Sequence, residues 1–211
     1  MGAELLSTSR LRYAVLASAL PSLCMSLQLF YVLHAPLAGT NRQWATDAWL
    51  LMMAEFFLMH AGVLSVTFSV VRGPFQRTAI IAVLAGFYAV FMFGLWKVSG
   101  GSWIVAGAAL LLAARLIGAA IGGREFNKES FRLSWISAGL FLLLVAVTTA
   151  PAQFPVSAYT PEVLEQLRSA SAGGKGLWVR EPQRAVGLGA FYFLFLGLYE
   201  LWRLLRGWLV P

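Results

Sequence analysis

Six long apolar stretches constrain this chain more than any other feature of its sequence. A helix rises about 1.5 Å per residue, so roughly 20 apolar residues cross the hydrocarbon core of a bilayer. Stretches of about that length occupy residues 13–34, 47–71, 78–97, 103–122, 133–150 and 185–205. Because unpaired backbone groups are prohibitive in lipid, each stretch is predicted to be a helix. The sequence therefore predicts an all-α membrane protein, a single domain over residues 1–211 with a bundle of six transmembrane helices.

The low proportion of charged residues supports solvation by lipid. Only 12% of the residues are charged, against about 25% in a typical soluble domain. The formal net charge of +7 could indicate nucleic-acid binding, but no basic stripe with interleaved aromatic residues lies outside the apolar stretches. Basic residues are instead typical of loops that face anionic lipids. The lipid bilayer is therefore the predicted partner, and nucleic acid is not.

The distribution of Lys and Arg predicts the orientation of the chain. Basic residues gather on one side of the predicted bundle: Arg10, Arg12, Arg72, Arg77, Arg124, Lys128, Arg132, Arg203 and Arg206. The short loops on the other side hold only Arg42 and Lys97. Since positively charged loops stay in the cytoplasm, both termini are predicted to be cytoplasmic and the long loop 151–184 extracytoplasmic. The expected location is the cytoplasmic (inner) membrane of a bacterium, with the chain crossing it several times.

Small residues crowd the fourth apolar stretch. Gly107, Ala108 and Ala109 occur near its start, and Gly118 and Gly122 stand four residues apart near its end. Small residues at this spacing let helix backbones approach closely. We therefore expect this helix to lie in the interior of the bundle. Packing within the chain is favoured, and packing between two copies stays open.

The long loop carries signals of local structure. The segment Thr160-Pro161-Glu162 is typical of a helix start, with a capping hydroxyl, a proline in the first turn and an acid at the positive end of the helix dipole. Val163, Leu164 and Leu167 then share one face. This pattern predicts a short amphipathic helix over about 160–169 that covers the outer end of the bundle. A covering lid is favoured over a disordered loop, and Leu177-Trp178-Val179 is expected to return the chain to the bundle.

Four ionisable residues lie inside the predicted spans: Glu55 and His60 in the second, Arg115 in the fourth and Glu200 in the sixth. Ionisable groups are costly in hydrocarbon, so each is a candidate functional residue. Counting about 1.5 Å per residue from the predicted outer ends places all four roughly 12 to 22 Å deep. The sequence therefore predicts a buried polar cluster in the middle and inner half of the membrane.

Each of these residues also has a structural explanation. Arg115 either pairs with a buried carboxylate or extends its side chain to the inner headgroups. Pairing is favoured because a desolvated charge needs a partner, with Glu55 preferred over Glu200. Glu200 stands three residues before Arg203, so a helix-end ion pair would explain it. His60 follows Glu55 by five residues, which turns the two side chains about 140° apart. His60 is therefore interpreted as a packed helix residue.

Two groups of residues resemble a family of bacterial integral membrane proteins. The first is Trp49 followed by Ala54-Glu55-Phe56 and Gly62, and the second is Trp178 with Pro182 before Phe191-Tyr192-Phe193. The resemblance extends over roughly half of the chain. Because that family has no known activity, it implies a multi-pass architecture and no mechanism.

Three function classes follow from these observations. With two histidines and one cysteine, no complete catalytic or ligand set can be assembled, so neither a metal nor a cofactor is predicted. A non-catalytic membrane subunit or scaffold is favoured, with another membrane protein or a second copy of the chain as its partner. A small-solute or ion permease would use Glu55 and Arg115, although no internal repeat supports it. A membrane-embedded enzyme would use Glu55 and His60 beneath the long loop.

Overall fold

Helices make up the regular structure of the chain. The computed structural model describes residues 2–70, 83, 86–94, 96–97, 102–150, 156–170 and 176–209, and it contains no strand within these ranges. The helices are α1 (Gly2–His34), α2 (Asn41–Val70), α3 (Ser102–Thr149), α4 (Pro161–Ala170), α5 (Leu177–Arg180) and α6 (Pro182–Leu209). Residues 86–94 are also helical. The predicted all-α class is confirmed.

A tight turn joins α1 to α2. Gly39 takes a positive φ of 51°, a conformation that favours glycine. The side-chain amide of Asn41 donates to the carbonyl of Ala35 at 2.8 Å and so satisfies an acceptor at the end of α1. The amide of Gln28 in turn donates to the side-chain oxygen of Asn41 at 3.3 Å. The turn reverses the chain, and the first predicted span ends at His34 as expected.

α6 runs antiparallel to α1 and parallel to α2, and it contacts both. Gly197 faces Leu23 of α1, and eight residues earlier Gly189 faces Leu29. Gly189 also lies against Met52 of α2. A Cβ added to Gly197 would come within 2.6 Å of the Leu23 side chain, so the two helices touch almost backbone to backbone.

The fourth apolar stretch packs within the chain, as favoured. Gly107 and Ala108 are buried, and Gly107 faces Met25 of α1 and Leu51 of α2. The opposite face is exposed at Leu110. The surroundings of Gly118 and Gly122 lie outside the described residues. The closest glycine contacts of the described part are those of α6, which the sequence pattern alone does not reveal.

α3 covers the fourth and fifth predicted spans and the polar break between them. The break at residues 123–132 contains no proline, and its Arg, Glu and Lys residues are good helix formers. The apolar stretch therefore ends at these polar residues, but the helix continues through them.

α3 is not straight. Gly107 lies against Leu51, and the ring of Phe141 lies 5.8 Å from that of Phe56. A straight helix would separate Gly107 from Phe141 by about 50 Å, whereas Leu51 and Phe56 are only about 8 Å apart along α2. The axis of α3 must therefore turn back between these contacts. Its two arms, 102–112 and 131–149, flank the same part of the bundle.

Two described helices are long and apolar enough to cross a membrane. They are Phe131–Thr149 in the second arm of α3 and Pro182–Leu205 in α6, and the apolar segment Ala19–His34 of α1 is shorter. Most of the first is exposed, whereas most of the second is buried. These helices are consistent with a membrane protein. The six-span arrangement goes beyond them and stays a prediction.

The long loop folds onto one end of the bundle. The predicted amphipathic helix is confirmed as α4, and the hydroxyl of Thr160 accepts a hydrogen bond from the backbone N–H of Val163 at 3.4 Å. Leu167 is 1% exposed and packs into the core, with Val163 and Leu164 half-buried beside it. We call residues 156–170 and 176–181 the cap.

Polar contacts tie the cap to the bundle. The phenol of Tyr159 donates to the carbonyl of Val32 at 3.3 Å, at the end of α1. The guanidinium of Arg42, in the first turn of α2, donates to the carbonyl of Gln166 at 2.8 Å. The predicted covering position is therefore observed. The side of the membrane that the cap occupies stays a prediction.

Candidate functional site

Glu55 lies in the interior of the bundle with none of its surface exposed. The hydroxyl of Tyr192, on α6, donates to Glu55 Oε1 at 2.9 Å. Phe141 packs edge-on against the Tyr192 ring at 5.8 Å, and Phe56 packs on Phe141 from the other side. The carboxyl group is thus buried, and Tyr192 links it to a group of packed aromatic rings. A hydrogen bond in such surroundings is electrostatically stronger than the same bond in water.

Two buried serines line the face of α1 that meets α6. The hydroxyl of Ser26 donates to the carbonyl of Ala190 at 2.9 Å. Ser22 is one helical turn earlier, on the same face, and is also buried. Because α1 runs antiparallel to α6 and Leu23 lies against Gly197, Ser22 falls close to the level of Leu198.

Two further buried polar residues continue this line. Ser137 is four residues before Phe141 on the same face of α3, and since Phe141 meets Tyr192, Ser137 falls close to the level of Leu196. Glu200 is 3% exposed and lies about 12 Å beyond Tyr192 along α6.

The buried polar groups thus form a row along α6 and not a compact cluster. Its members come from four different helical segments and are all buried. We call these residues the buried polar row: Ser26, Glu55, Tyr192, Ser137, Ser22 and Glu200. From the level of Tyr192 to that of Glu200, successive members lie about 3–6 Å apart along the axis.

The predicted site residues meet different outcomes. Glu55 and Glu200 are both buried, at levels about 12 Å apart along α6, which is close to the difference in depth estimated from the sequence. The side chains of His60 and Arg115 lie outside the described residues, although their backbones belong to α2 and α3. The Glu55–Arg115 pair therefore stays a prediction.

Sequence reasoning missed most of the row because it considered only ionisable groups. Tyr192 stands within the aromatic run Phe191-Tyr192-Phe193, where nothing local distinguishes it from its neighbours. Ser22 and Ser26 did carry a signal, since their spacing of four residues puts both hydroxyls on one face of an otherwise apolar helix.

A second polar site joins the cap to the bundle. Arg184 is 5% exposed, and its guanidinium donates to the carbonyls of Thr148 at 2.8 Å and Ala150 at 2.9 Å. It also forms an ion pair with Glu181. The carbonyls at the end of a helix form the negative end of its dipole, so a cation is well placed there. Arg184, the last residue of the predicted loop 151–184, joins the end of α3 to the start of α6.

Two groups in the cap have shifted pKa values. Burial raises the pKa of Tyr159 above its ordinary value of 10.0, which keeps the phenol neutral as a donor to Val32. Hydrogen bonds from the Thr160 side chain and from a backbone N–H lower the pKa of Glu162 below its ordinary value of 4.5. The negative charge of Glu162 at the start of α4 is therefore favoured.

The described side chains offer hydrogen-bonding and proton-holding groups. No three His, Cys, Asp or Glu residues lie close enough together to hold a metal ion within this part of the chain. Of the described His and Cys side chains, His34 is exposed at the end of α1 and Cys24 is exposed about three turns before it.

Comparisons with protein-family models, curated proteins and solved structures give no match to this chain. Function is therefore inferred from the geometry of the molecule.

Proposed function

We propose that this chain is a multi-pass integral membrane protein of the bacterial inner membrane, with a non-catalytic role as a subunit or scaffold. The observation that carries the proposal is the apolar outer surface of the bundle, whose core is also largely apolar. Carboxyl and hydroxyl groups are buried in the bundle, while large apolar side chains cover its outside. This distribution suits a protein whose solvent is lipid.

The exposed side chains support lipid contact on several helices. Leu27 on α1 is 73% exposed, Val90 on the helical segment 86–94 is 73% exposed, and Leu142 on α3 is 61% exposed. Isolated exposed leucines are ordinary in soluble proteins, but contiguous apolar surfaces are not. Leu142, Leu143 and Val147 all face outward on the second arm of α3, so that surface is contiguous.

The directions of the helices support six crossings. α1 runs antiparallel to α6, and α2 runs parallel to it. Tyr88 bonds the carbonyl of Phe57 while Met92 packs near Leu50, so segment 86–94 is antiparallel to α2. The second arm of α3 runs antiparallel to α6, because Phe141 meets Tyr192 while Arg184 reaches Thr148. These directions are the ones that successive membrane crossings require.

An aromatic–cation group supports the position of one interface. The ammonium of Lys97 lies 5.1 Å from the centre of the Trp96 ring and 5.6 Å from that of Phe93. Trp96 is exposed. Tryptophan and lysine side chains of this kind are typical of the boundary between hydrocarbon and headgroups.

The buried hydrogen bonds favour a structural role over a catalytic one. Ser26 donates to a carbonyl of a neighbouring helix, and Arg184 donates to two. Interhelical bonds of this kind hold membrane helices together. An enzyme that used Glu55 and His60 stays the less favoured class, because the described groups around Glu55 are aromatic and closely packed.

Spin-label accessibility tests the proposal. Single nitroxides are attached to Leu142→Cys and Leu143→Cys in a Cys24→Ala background after reconstitution into lipid, with Ser157→Cys on the exposed cap as the control. We expect the labels at 142 and 143 to collide with oxygen and to be shielded from a water-soluble nickel chelate, and the label at 157 to show the reverse. High nickel accessibility at both 142 and 143 would exclude lipid contact.

The buried polar row supports a second candidate, a permease for an ion or small solute. Buried ionisable groups mark ion pathways in many membrane proteins. This role is compatible with the same fold and differs from a scaffold only in what passes through the row.

A further inference from the structure

We infer that the buried polar row is a proton path through the bundle, with Glu55 and Glu200 as the groups that hold the proton. This inference rests on the membrane placement proposed above. It goes beyond the subunit role proposed there by adding proton conduction, and it develops the second candidate function with the proton as the transported species.

The two carboxyl groups provide the holding sites. Both are nearly or fully buried, at 0% exposure for Glu55 and 3% for Glu200. A carboxyl group can hold a proton as the neutral acid or release it as the carboxylate, and burial disfavours the charged form. Two such groups about 12 Å apart along one axis can therefore serve as successive stations.

Buried hydroxyl groups lie at levels between the two carboxyl groups. Tyr192 already donates to Glu55 at 2.9 Å. Ser137 and Ser22 are buried at intermediate levels, with steps of about 3–6 Å along the axis. The inferred path places a hydroxyl or a water molecule across the lateral distance at each step. A hydroxyl that accepts a proton on one side releases its own on the other and is left unchanged. Because the Tyr192 proton points at Glu55, Tyr192 gives it to the Glu55 carboxylate and takes another from the row. The net result is that Glu200 loses a proton and Glu55 gains one.

The packing around the row favours a proton over any larger solute. A Cβ on Gly197 would meet Leu23 at 2.6 Å, and one on Gly189 would meet Leu29 at 2.8 Å. No solute can pass between α1 and α6 at those points without separating the helices. A proton needs only a chain of hydrogen bonds.

The charged and titratable groups near Glu55 can be assigned by helix. α6 contributes Tyr192 and, farther along, Glu200. The described parts of α1 and of the second arm of α3 contribute the hydroxyls of the row. Arg115 on α3 and His60 on α2 are predicted at neighbouring depths.

A flux assay in liposomes tests the path. Purified protein is reconstituted with a trapped pH-sensitive dye, and a valinomycin–potassium potential drives protons inward. Flotation with the liposomes and resistance to alkaline carbonate extraction are measured first. A protein that fails to float or is extracted contradicts the membrane placement, which separates that failure from failure of the path.

The variants remove proton-holding groups with little change of shape. We expect proton entry to be faster than in protein-free liposomes and to fall by on the order of 10²-fold in Glu55→Gln and in Glu200→Gln. Tyr192→Phe, which removes only the hydroxyl, should also slow it. Glu162→Gln, the same change on the exposed cap, should leave the flux unchanged.

Each result decides the inference. An integrated wild-type protein that admits no more protons than empty liposomes overturns it, as does a wild-type flux in Glu200→Gln and Tyr192→Phe. If Glu55→Gln does not fold, as judged by gel filtration, the flux through those two variants still supports or overturns the path.

Discussion

The contact between Gly197 and Leu23 provides a sharp test of how α1 and α6 pack. In Gly197→Ala, the new methyl group would lie 2.6 Å from Leu23 Cγ and 3.3 Å from the Leu23 backbone nitrogen. Carbon atoms pack best at about 3.5–4.0 Å, so the helices must separate by about 1 Å. Overpacking of this kind costs about 1–3 kcal/mol, and the upper end is expected because a backbone atom cannot rotate away.

The gain in helix propensity opposes this cost. Alanine is more favourable than glycine in a helix by about 1 kcal/mol, so the net loss for Gly197→Ala is about 2 kcal/mol. Gly139→Ala is the matched control, because a Cβ there has no neighbouring atom within 4 Å and only the gain remains. The same substitution is therefore expected to act with opposite sign at the two sites.

Thermal unfolding in detergent, followed by tryptophan fluorescence, measures both variants. At about 2–4 °C per kcal/mol for a chain of this size, Gly197→Ala should lower Tm by about 4–8 °C and Gly139→Ala should raise it by about 2–4 °C. Adding Leu23→Ala to Gly197→Ala should recover part of the loss, since it removes the clashing branch. Equal increases in Tm at both glycines would refute the packing of α1 against α6 through Gly197.

Three further predictions concern single hydrogen-bonded groups. Tyr192→Phe should lower stability by about 1–2 kcal/mol in the same unfolding assay, because it removes the hydrogen bond to Glu55. The control Tyr31→Phe, at an exposed position, should change stability by less than about 0.5 kcal/mol. Equal effects would contradict a buried Tyr192–Glu55 hydrogen bond. Arg184→Ala should cost about 3 kcal/mol because two carbonyls lose their donor, whereas Arg180→Ala on the cap surface should be nearly neutral; similar losses would argue against this anchor. Since the pKa of Glu162 is lowered on folding, its stabilisation of α4 should be complete above pH 4.5 and be lost as the pH falls through the lowered pKa. Amide-exchange protection of α4 would report this loss, which should be absent in Glu162→Gln.

Features set by neighbouring residues were predictable from the sequence. The start of α4 follows from Thr160-Pro161-Glu162, and its docking follows from the spacing of Val163, Leu164 and Leu167. Glu55 was identified because a carboxyl group is conspicuous in an apolar stretch. Each of these inferences uses residues within a few positions of one another.

Features set by contacts between distant residues were not predictable. The partner of Glu55 is 137 positions away, and which tyrosine or arginine reaches it depends on the register of α2 against α6. The role of Arg184, the last residue of the predicted loop 151–184, was missed because its acceptors lie some 35 positions earlier. The helical state of residues 123–132 was missed for a different reason, since polarity was taken as a sign of a loop although the residues favour a helix.

Cysteine labelling in intact cells tests the multi-pass membrane arrangement most directly. In a Cys24→Ala background, Ser169→Cys presents a thiol on the exposed face of α4, and Ser7→Cys presents one near the N-terminus. A membrane-impermeant maleimide should label position 169 in intact spheroplasts and position 7 only after the membrane is opened. The orientation would be contradicted if position 7 were labelled in intact spheroplasts and position 169 only after the membrane is opened. The six crossings would be contradicted if both positions were labelled equally in intact spheroplasts.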